Sequence, residues 1–257
     1  LGNQFIPAMS YSFTYDNAPL KKRNNLWWET SFTSAGNLTS LVYAAFGKGF
    51  KETDKKLLNS PYAQFLKMTS EVRCLFKVGE KQHIATRLMG GILYAYGNQT
   101  VAPYSEQFYI GGANSIRAFT VRSIGPGSYR PEDKQYGYLD ETGDVKLEAN
   151  VEYRFPILGD LYGAAFLDAG NVWLLREQKN EEGENIRPGG LLTLRNFAKS
   201  IALGTGVGLR YDLTFLVIRL DLGIALHDPY DTGKKGYYNI PKFKDGLGLH
   251  FAIGYPF

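Results

Sequence analysis

Apolar and polar side chains alternate along many segments of this chain. From residue 246 to the end, small or polar residues separate apolar ones at every second position, namely Leu247, Leu249, Phe251, Ile253, Tyr255 and Phe257. A period of two places successive side chains on opposite faces of a β-strand. Segments 145–155, 201–212 and 215–227 repeat the pattern, with Glu152, Arg210, Arg219 and Asp221 on their polar faces. The pattern therefore predicts an all-β protein.

Strand lengths and loop lengths decide the kind of β-protein. The pattern predicts nine strands, over residues 4–16, 24–36, 62–79, 82–97, 144–156, 161–175, 199–212, 215–228 and 246–257, with 104–112 leading into a loop. Short turns alternate with long loops over about 37–61, 98–143, 176–198 and 229–245. Many strands of about ten residues, with loops sorted by length, are typical of outer-membrane barrels. We predict a transmembrane antiparallel β-barrel, with Leu247, Leu249, Phe251 and Ile253 facing outward.

The first long loop contains apolar residues at helical spacing: Leu38, Leu41, Val42, Ala45 and Phe46. Two interpretations fit this spacing. The segment 37–60 forms a short amphipathic helix that caps the barrel mouth, or it forms a loop that packs its own apolar residues.

Composition agrees with a barrel and excludes other classes. The 257 residues suit one β-domain, and 14% aromatic residues with 29 Gly suit aromatic girdles and close strand packing. Mean hydropathy is −0.25, and a transmembrane helix is not expected. A net charge of +4 is too small and too scattered to predict nucleic-acid binding. Cys74 is the single cysteine, so an intrachain disulfide cannot form, and its parity with Val72 and Phe76 predicts a lipid-facing position.

Residue types that could carry chemistry lack the context they need. His83, His227 and His250 fall on polar strand faces without the close spacing of metal ligands. Asp231-Thr232-Gly233 matches the aspartic-protease triplet, but a loop precedes it instead of an apolar strand. Alternating Gly204, Gly206 and Gly208 lack the strand–turn–helix context of a nucleotide loop. We expect no catalytic residue, no metal and no cofactor.

Two separated segments resemble one known family. Residues 107–119 place Arg117 between Ile116 and Ala118-Phe119, close behind Gly111-Gly112. They resemble the long-loop signature of the BamA/TamA superfamily of outer-membrane barrels, with Ala118 in place of the usual Gly. Residues 166–173, Phe-Leu-Asp-Ala-Gly-Asn-Val-Trp, resemble the family strand whose Asp receives that loop Arg. The resemblance runs from about residue 4 to Phe257, and residues 103–130 look most similar to TamA-like members from Bacteroidetes.

The resemblance implies a loop folded into the barrel lumen. Arg117 would then pair with Asp168, with Glu152 nearby, because a buried guanidinium needs carboxylate partners. The alternative is a solvated loop arginine. Phe119 would pack against the inner wall beside Gly204 and Gly206. The remaining residues of the loop motif are Gly111, Gly112, Ser115 and Ile116.

The resemblance also implies a function in outer-membrane protein assembly, without bond chemistry. Incoming strands would be templated at a weak seam between the first and last strands, which Gly246, Gly248 and Gly254 would loosen. Leu249, Phe251, Tyr255 and Phe257 would form a C-terminal recognition signal. Expected partners are outer-membrane lipids, nascent outer-membrane proteins, and periplasmic or lipoprotein subunits. The chain would be the C-terminal part of a barrel of roughly sixteen strands, preceded by further strands and POTRA repeats.

Two alternatives to assembly remain open. A two-partner-secretion transporter carries the same Arg loop, so the motif does not separate secretion from assembly. A passive porin or adhesin barrel shares the fold, and the number of upstream POTRA repeats distinguishes all three. A soluble lipocalin-like binder fits least, because its loops have no reason to alternate in length.

Overall fold

The computed structural model describes residues 5–20, 23–49, 52–53, 55–57, 60–131 and 141–257. Residue 4 and parts of the predicted loops 37–61 and 98–143 lie outside these ranges. In chain order the elements are β1 (Ala8–Asp16), β2 (Asn24–Ala35), α1 (Asn37–Ala45), β3 (Lys56–Leu57), β4 (Ser60–Pro61), β5 (Phe65–Lys77), β6 (His83–Ala95), β7 (Val145–Leu158), β8 (Leu161–Trp173), β9 (Ala202–Asp212), β10 (Val217–His227) and β11 (Leu247–Ile253). Short 3-10 helices cover Ala18–Leu20, Tyr104–Glu106, Ala198–Ser200 and Phe243–Gly246.

Nine of these strands form one sheet in the order β1-β2-β5-β6-β7-β8-β9-β10-β11. Each strand pairs antiparallel with its neighbours along the chain. The nine predicted strands are thus confirmed, with small shifts at their ends. β3 and β4 form a separate two-stranded ladder in the first long loop.

The apolar side chains of the sheet face outward, as the alternation predicts. Leu249 and Phe251 are 70% and 71% exposed, and Leu247 and Ile253 share their face. Charged residues of β7 to β10 occupy the opposite face and are buried, among them Glu152, Asp168, Arg210 and Asp221. Apolar outside and polar inside is the arrangement of a barrel in lipid. None of the described helices is long and apolar enough to cross a membrane.

The two ends of the sheet differ in the lengths of the loops that connect the strands. One end has tight connections, such as Gly159-Asp160 between β7 and β8. The other end, called here the long-loop end, carries the connections after β2, β6, β8 and β10. An apolar core lies beneath these loops and includes Ala35, Phe65, Leu93, Phe108, Ile110, Ile116, Ile124 and Val172. This core anchors the loop after β6 to the barrel interior.

The last strand is shorter than the sequence predicts. β11 ends at Ile253, because Gly254 adopts a φ of +84° that breaks the extended backbone. Tyr255 and Phe257 therefore do not continue the outward row. Their rings lie on inward-facing arginines instead, with Arg154 4.2 Å from the Tyr255 centroid and Arg87 5.1 Å from the Phe257 centroid. The prediction of a strand through residue 257 is corrected accordingly.

The helical interpretation of the first long loop is correct for residues 37–45. However, the apolar side chains of α1 point away from the protein, so they do not seal the barrel mouth. Leu38 and Leu41 are 66% and 61% exposed.

Candidate functional site

The loop after β6 enters the barrel interior. Phe108 and Gly143 exchange backbone hydrogen bonds of 2.9 and 2.8 Å, which fix the two ends of the entering segment. Gly111 and Gly112 then turn the chain with φ values of +100° and +96°, a region that side chains disfavour. Ile116 follows, fully buried in the apolar core. This path carries Arg117 to the inner wall of the sheet.

Arg117 is fully buried, and its guanidinium is hydrogen-bonded to two carboxylates. Its Nε and Nη2 donate to the two oxygens of Asp168, each at 2.9 Å. Its backbone N–H also donates to Asp168, at 3.1 Å, and its Nη1 donates to Glu152. The guanidinium carbon lies 3.5 Å from the ring centroid of Phe166. A bidentate charged pair with an aromatic face fixes the guanidinium in one orientation.

Arg117 belongs to a larger network that we call the lumen cluster. It comprises Arg117, Glu152, Arg154, Asp168, Arg210, Arg219 and Asp221. Glu152 accepts from Arg154 at 2.8 Å and from Arg210 at 3.0 Å. Asp221 pairs with Arg219 at 3.1 Å and lies 3.7 Å from Arg117. The cluster therefore joins the loop to four neighbouring strands, β7 to β10.

The tip of the loop is held from both sides. Arg219 on β10 donates to the carbonyl of Ala113 at 2.7 Å. Arg87 on β6 donates to the carbonyl of Asn114 at 2.9 Å. Ser115 donates to Glu148 at 2.9 Å and accepts the N–H of Gly111 at 3.0 Å. The tip thus spans the interior from β6 to β10.

The Arg117 backbone lies directly on the last two strands. A Cβ at Gly248 of β11 would lie 2.9 Å from the Arg117 carbonyl oxygen, and a Cβ at Gly223 of β10 would be closer still. Beside Gly248, Nε2 of His250 lies 2.6 Å from the same oxygen. Because a carbonyl oxygen only accepts, this ring nitrogen carries the proton and donates. β11 is therefore bonded to the loop as well as to β10.

Comparison with known proteins identifies the family. A sequence profile of the Omp85 superfamily domain matches residues 9–257. The chain belongs to the Omp85 superfamily. It is 32% identical over 88 residues to the outer membrane protein assembly factor BamA of Neisseria meningitidis, across 32% of this chain and 11% of that protein. It is 30% identical over 148 residues to sorting and assembly machinery component 50 homolog B of Xenopus laevis, across 56% of this chain and 29% of that protein.

A solved relative has the same fold. The crystal structure of BamA from Haemophilus ducreyi lacking POTRA domains 1-3 superposes with a TM-score of 0.51 at 14% identity, over 96% of this chain and 54% of that one. The Omp85 chain described here thus spans about half of that structure and less of the curated relatives. The predicted membership of the BamA/TamA superfamily is confirmed, and the family places the chain in the bacterial outer membrane.

One detail of the Omp85 loop differs from the sequence prediction. Ala118, which stands where the family motif has Gly, occupies the space above Gly204, where a Cβ would lie 2.6 Å from the Ala118 methyl. The ring of Phe166 covers Gly206. Phe119 packs against the inner wall as predicted, but its contacts are Ala225, the β10 neighbour of Gly204, Ile240 and the apolar core beneath the loops. The small residues of β9 therefore accommodate the loop alanine and a neighbouring strand aromatic.

Sequence reasoning missed most of the lumen cluster. Arg210, Arg219 and Asp221 were placed on polar faces but received no role. Asn150 was also missed, and it donates to Asp168 at 2.9 Å. The available signal was an excess of charged residues on the inward faces of consecutive strands, since buried charges need partners of opposite sign.

The remaining candidate residues have structural positions. His227 lies between the carbonyl groups of Lys199 and Tyr237, and His83 begins β6. Asp231 accepts the N–H of Gly233 at 2.8 Å in a loop turn. Cys74 lies on the outward face of β5, half-buried. Within the described ranges, no group of three or more His, Cys, Asp or Glu could hold a metal ion.

A cavity of about 690 Å³ adjoins the docked loop and the last strand. It lies between Phe119, His250 and the loop residues Tyr230 and Ile240. Burial and the neighbouring Asp228 charge raise the pKa of Tyr230 to about 12, so its phenol is neutral at physiological pH. The inner side of β11 therefore faces partly open space beyond the Arg117 contact.

Proposed function

We propose that this Omp85 protein assembles β-barrel proteins into the bacterial outer membrane. Nascent outer-membrane proteins would be the clients, and periplasmic or lipoprotein subunits would be partners. The observation that carries the proposal is the Arg117 loop, which is fixed by the lumen cluster and bonded to β11. The similarity to BamA, an outer membrane protein assembly factor, and to sorting and assembly machinery component 50 supports the same function.

The proposed working element is the edge of β11 that points away from β10, which would form the seam with the first strand of the larger barrel. Strand β11 has seven residues, whereas β7 has 14. In the described sheet it pairs with β10 on one side only. An edge strand presents unpaired N–H and C=O groups that can template an incoming strand. A short strand also has few hydrogen bonds to break when a seam opens.

We propose further that the chain is the C-terminal part of a larger barrel. With nine antiparallel strands, β1 and β11 run in the same direction. Pairing them would place a parallel contact in an otherwise antiparallel barrel, whereas bacterial outer-membrane barrels have even strand numbers. An odd number of additional strands between β1 and β11 would give an even total and remove the parallel contact. POTRA repeats upstream of the barrel would be expected from the family resemblance.

A passive pore fits the interior less well. The buried loop tip and the lumen cluster fill the space between β6 and β10 with bonded side chains, and a porin needs a water-filled channel. A secretion transporter remains the second candidate, because its family carries the same loop.

The test is depletion of the native protein in its own host, with complementation by the full-length gene. Assembly predicts loss of heat-modifiable, folded outer-membrane proteins on depletion and their recovery on complementation. A photo-crosslinker at Leu249 should then capture client barrels. Unchanged folded barrels, with one exported protein retained in the periplasm, would support secretion and contradict assembly.

A further inference from the structure

An apolar stripe formed by α1 and its C-cap residue Phe46 is exposed in the part of the chain that the structure describes. Leu38, Leu41, Val42 and Phe46 are 66%, 61%, 54% and 83% exposed. Their spacing puts them on one side of a helix. Helices on soluble surfaces turn such a stripe toward the core. The reversed orientation indicates that a nonaqueous environment lies on this side of α1.

Polar residues fasten α1 to the barrel. The hydroxyls of Ser40 and Tyr62 lie 2.8 Å apart, and both side chains are fully buried. Lys55 donates to Ser40 at 3.2 Å. Asn37 donates to Ser34 at 2.6 Å. The helix is therefore held by its polar side, and rotating its apolar side inward would break these bonds.

The attachment lies on the lipid-facing side of the sheet. Ser34 has the same parity as Phe32, which is outward on β2. Tyr96, which donates to Asn37, stacks at 5.9 Å on Tyr94, an outward residue of β6 that is 46% exposed. Both contacts place the first turn of α1 at the outer rim of the barrel wall, at the long-loop end.

A groove beside the helix has the character of an acyl-chain site. It has a volume of about 490 Å³ and is lined by Leu38, Thr39, Val42, Tyr43, Phe46 and Leu57. Lys48, with its ammonium 5.7 Å from the Tyr43 ring centroid, and the exposed Lys56 flank it. Apolar residues with nearby lysines match a lipid chain below an anionic headgroup.

We propose that α1 is an interfacial helix that inserts its apolar side among the acyl chains of the outer leaflet. The first turn of α1 is attached at the long-loop end of the lipid-facing side of the sheet, whose outward residues include Phe32, Met68 and Tyr94. Burial of the stripe in lipid removes its contact with water and holds the long-loop end at a fixed depth. This role is independent of the proposed assembly function, because it concerns only how the barrel sits in the membrane.

The test uses the full-length protein in vesicles of anionic and neutral phospholipids with brominated acyl chains. An environment-sensitive fluorophore is attached at Leu41→Cys in a Cys74→Ser background. Leu249→Cys, on the outward face of β11, serves as the lipid-exposed control. Glu182→Cys, exposed in the loop after β8, serves as the aqueous control. Each variant is first checked for heat-modifiable folding.

Insertion predicts that brominated lipids quench the Leu41 label strongly, as at Leu249, and leave the Glu182 label bright. Iodide in the buffer should do the reverse. Phe46→Cys provides a second position should Leu41→Cys fold poorly. A bright, iodide-accessible label at both Leu41→Cys and Phe46→Cys would overturn the proposal. A blue-shifted label that neither quencher reaches would also overturn it, because other strands or a second copy would then cover the helix.

Discussion

The two halves of this sheet follow the same alternation but have different interiors. On β7 to β10 the inward face carries several fully buried charges, as at Glu152, Asp168 and Arg210. On β1 and β2 several inward hydroxyls bond across the strands, such as Ser12 with Ser31 at 2.8 Å and Thr14 with the carboxylate of Glu29 at 3.1 Å. All residues of β1 are exposed. The difference arises because the Arg117 loop covers one half only.

Removing one side of the Arg117–Asp168 pair should have the largest effect. Arg117→Ala and Asp168→Asn should each cost on the order of 3–5 kcal/mol of stability, because the opposite charge stays buried without its partner. Glu29→Gln, in the open half, should cost less than about 0.5 kcal/mol. The measurement is denaturant unfolding of the full-length protein in vesicles. If all three variants lose equally little unfolding free energy, the two halves of the sheet do not differ as described.

Filling the space above Gly204 should have the next largest effect. Gly204→Ala should cost about 1–3 kcal/mol, because the new methyl group meets that of Ala118. Adding Ala118→Gly should restore most of the loss. Gly90→Ala, where a Cβ would meet a carbonyl oxygen at 3.9 Å, serves as the control in the same unfolding assay. A Gly204→Ala defect that Ala118→Gly leaves unchanged would contradict the close approach of the loop to β9.

The contact between the loop and the last strand should be weaker. His250→Ala should cost about 0.5–1.5 kcal/mol, the usual net contribution of one hydrogen bond. Hydrogen exchange of β11 amides should accelerate while β7 amides stay protected. His250→Gln, which keeps an N–H donor, should recover part of the protection. If β11 exchange does not change in either variant, the loop does not stabilise the last strand.

The smallest effect on stability is expected for a substitution of Phe257. Phe257→Ala removes ring contacts with Arg87 and Arg154, which should contribute about 0.5–1 kcal/mol. As a recognition signal, however, Phe257 should matter more in cells than in vesicles. We expect Phe257→Ala to lower the yield of folded, heat-modifiable barrel in cells. A normal yield would show that the Phe257 ring is dispensable for recognition.

The sequence predicts the sheet better than it predicts the interior. Alternation places Leu249 outward and Glu152 inward, because the period of two applies to each strand separately. It does not predict which strands meet Arg117, since Asp221 is more than a hundred residues away along the chain and contacts the loop only after it docks. The end of β11 was missed because Gly254 adopts a left-handed φ, while the residues around it continue the alternation.

A double-mutant cycle of Arg117→Ala and Asp168→Ala tests the docked loop most directly. Each single variant and the double variant would be unfolded in vesicles as the full-length protein. A buried pair predicts that the double variant loses far less stability than the two single losses combined, with an interaction energy on the order of 2–3 kcal/mol. Additive losses would contradict a loop held in the lumen by Arg117.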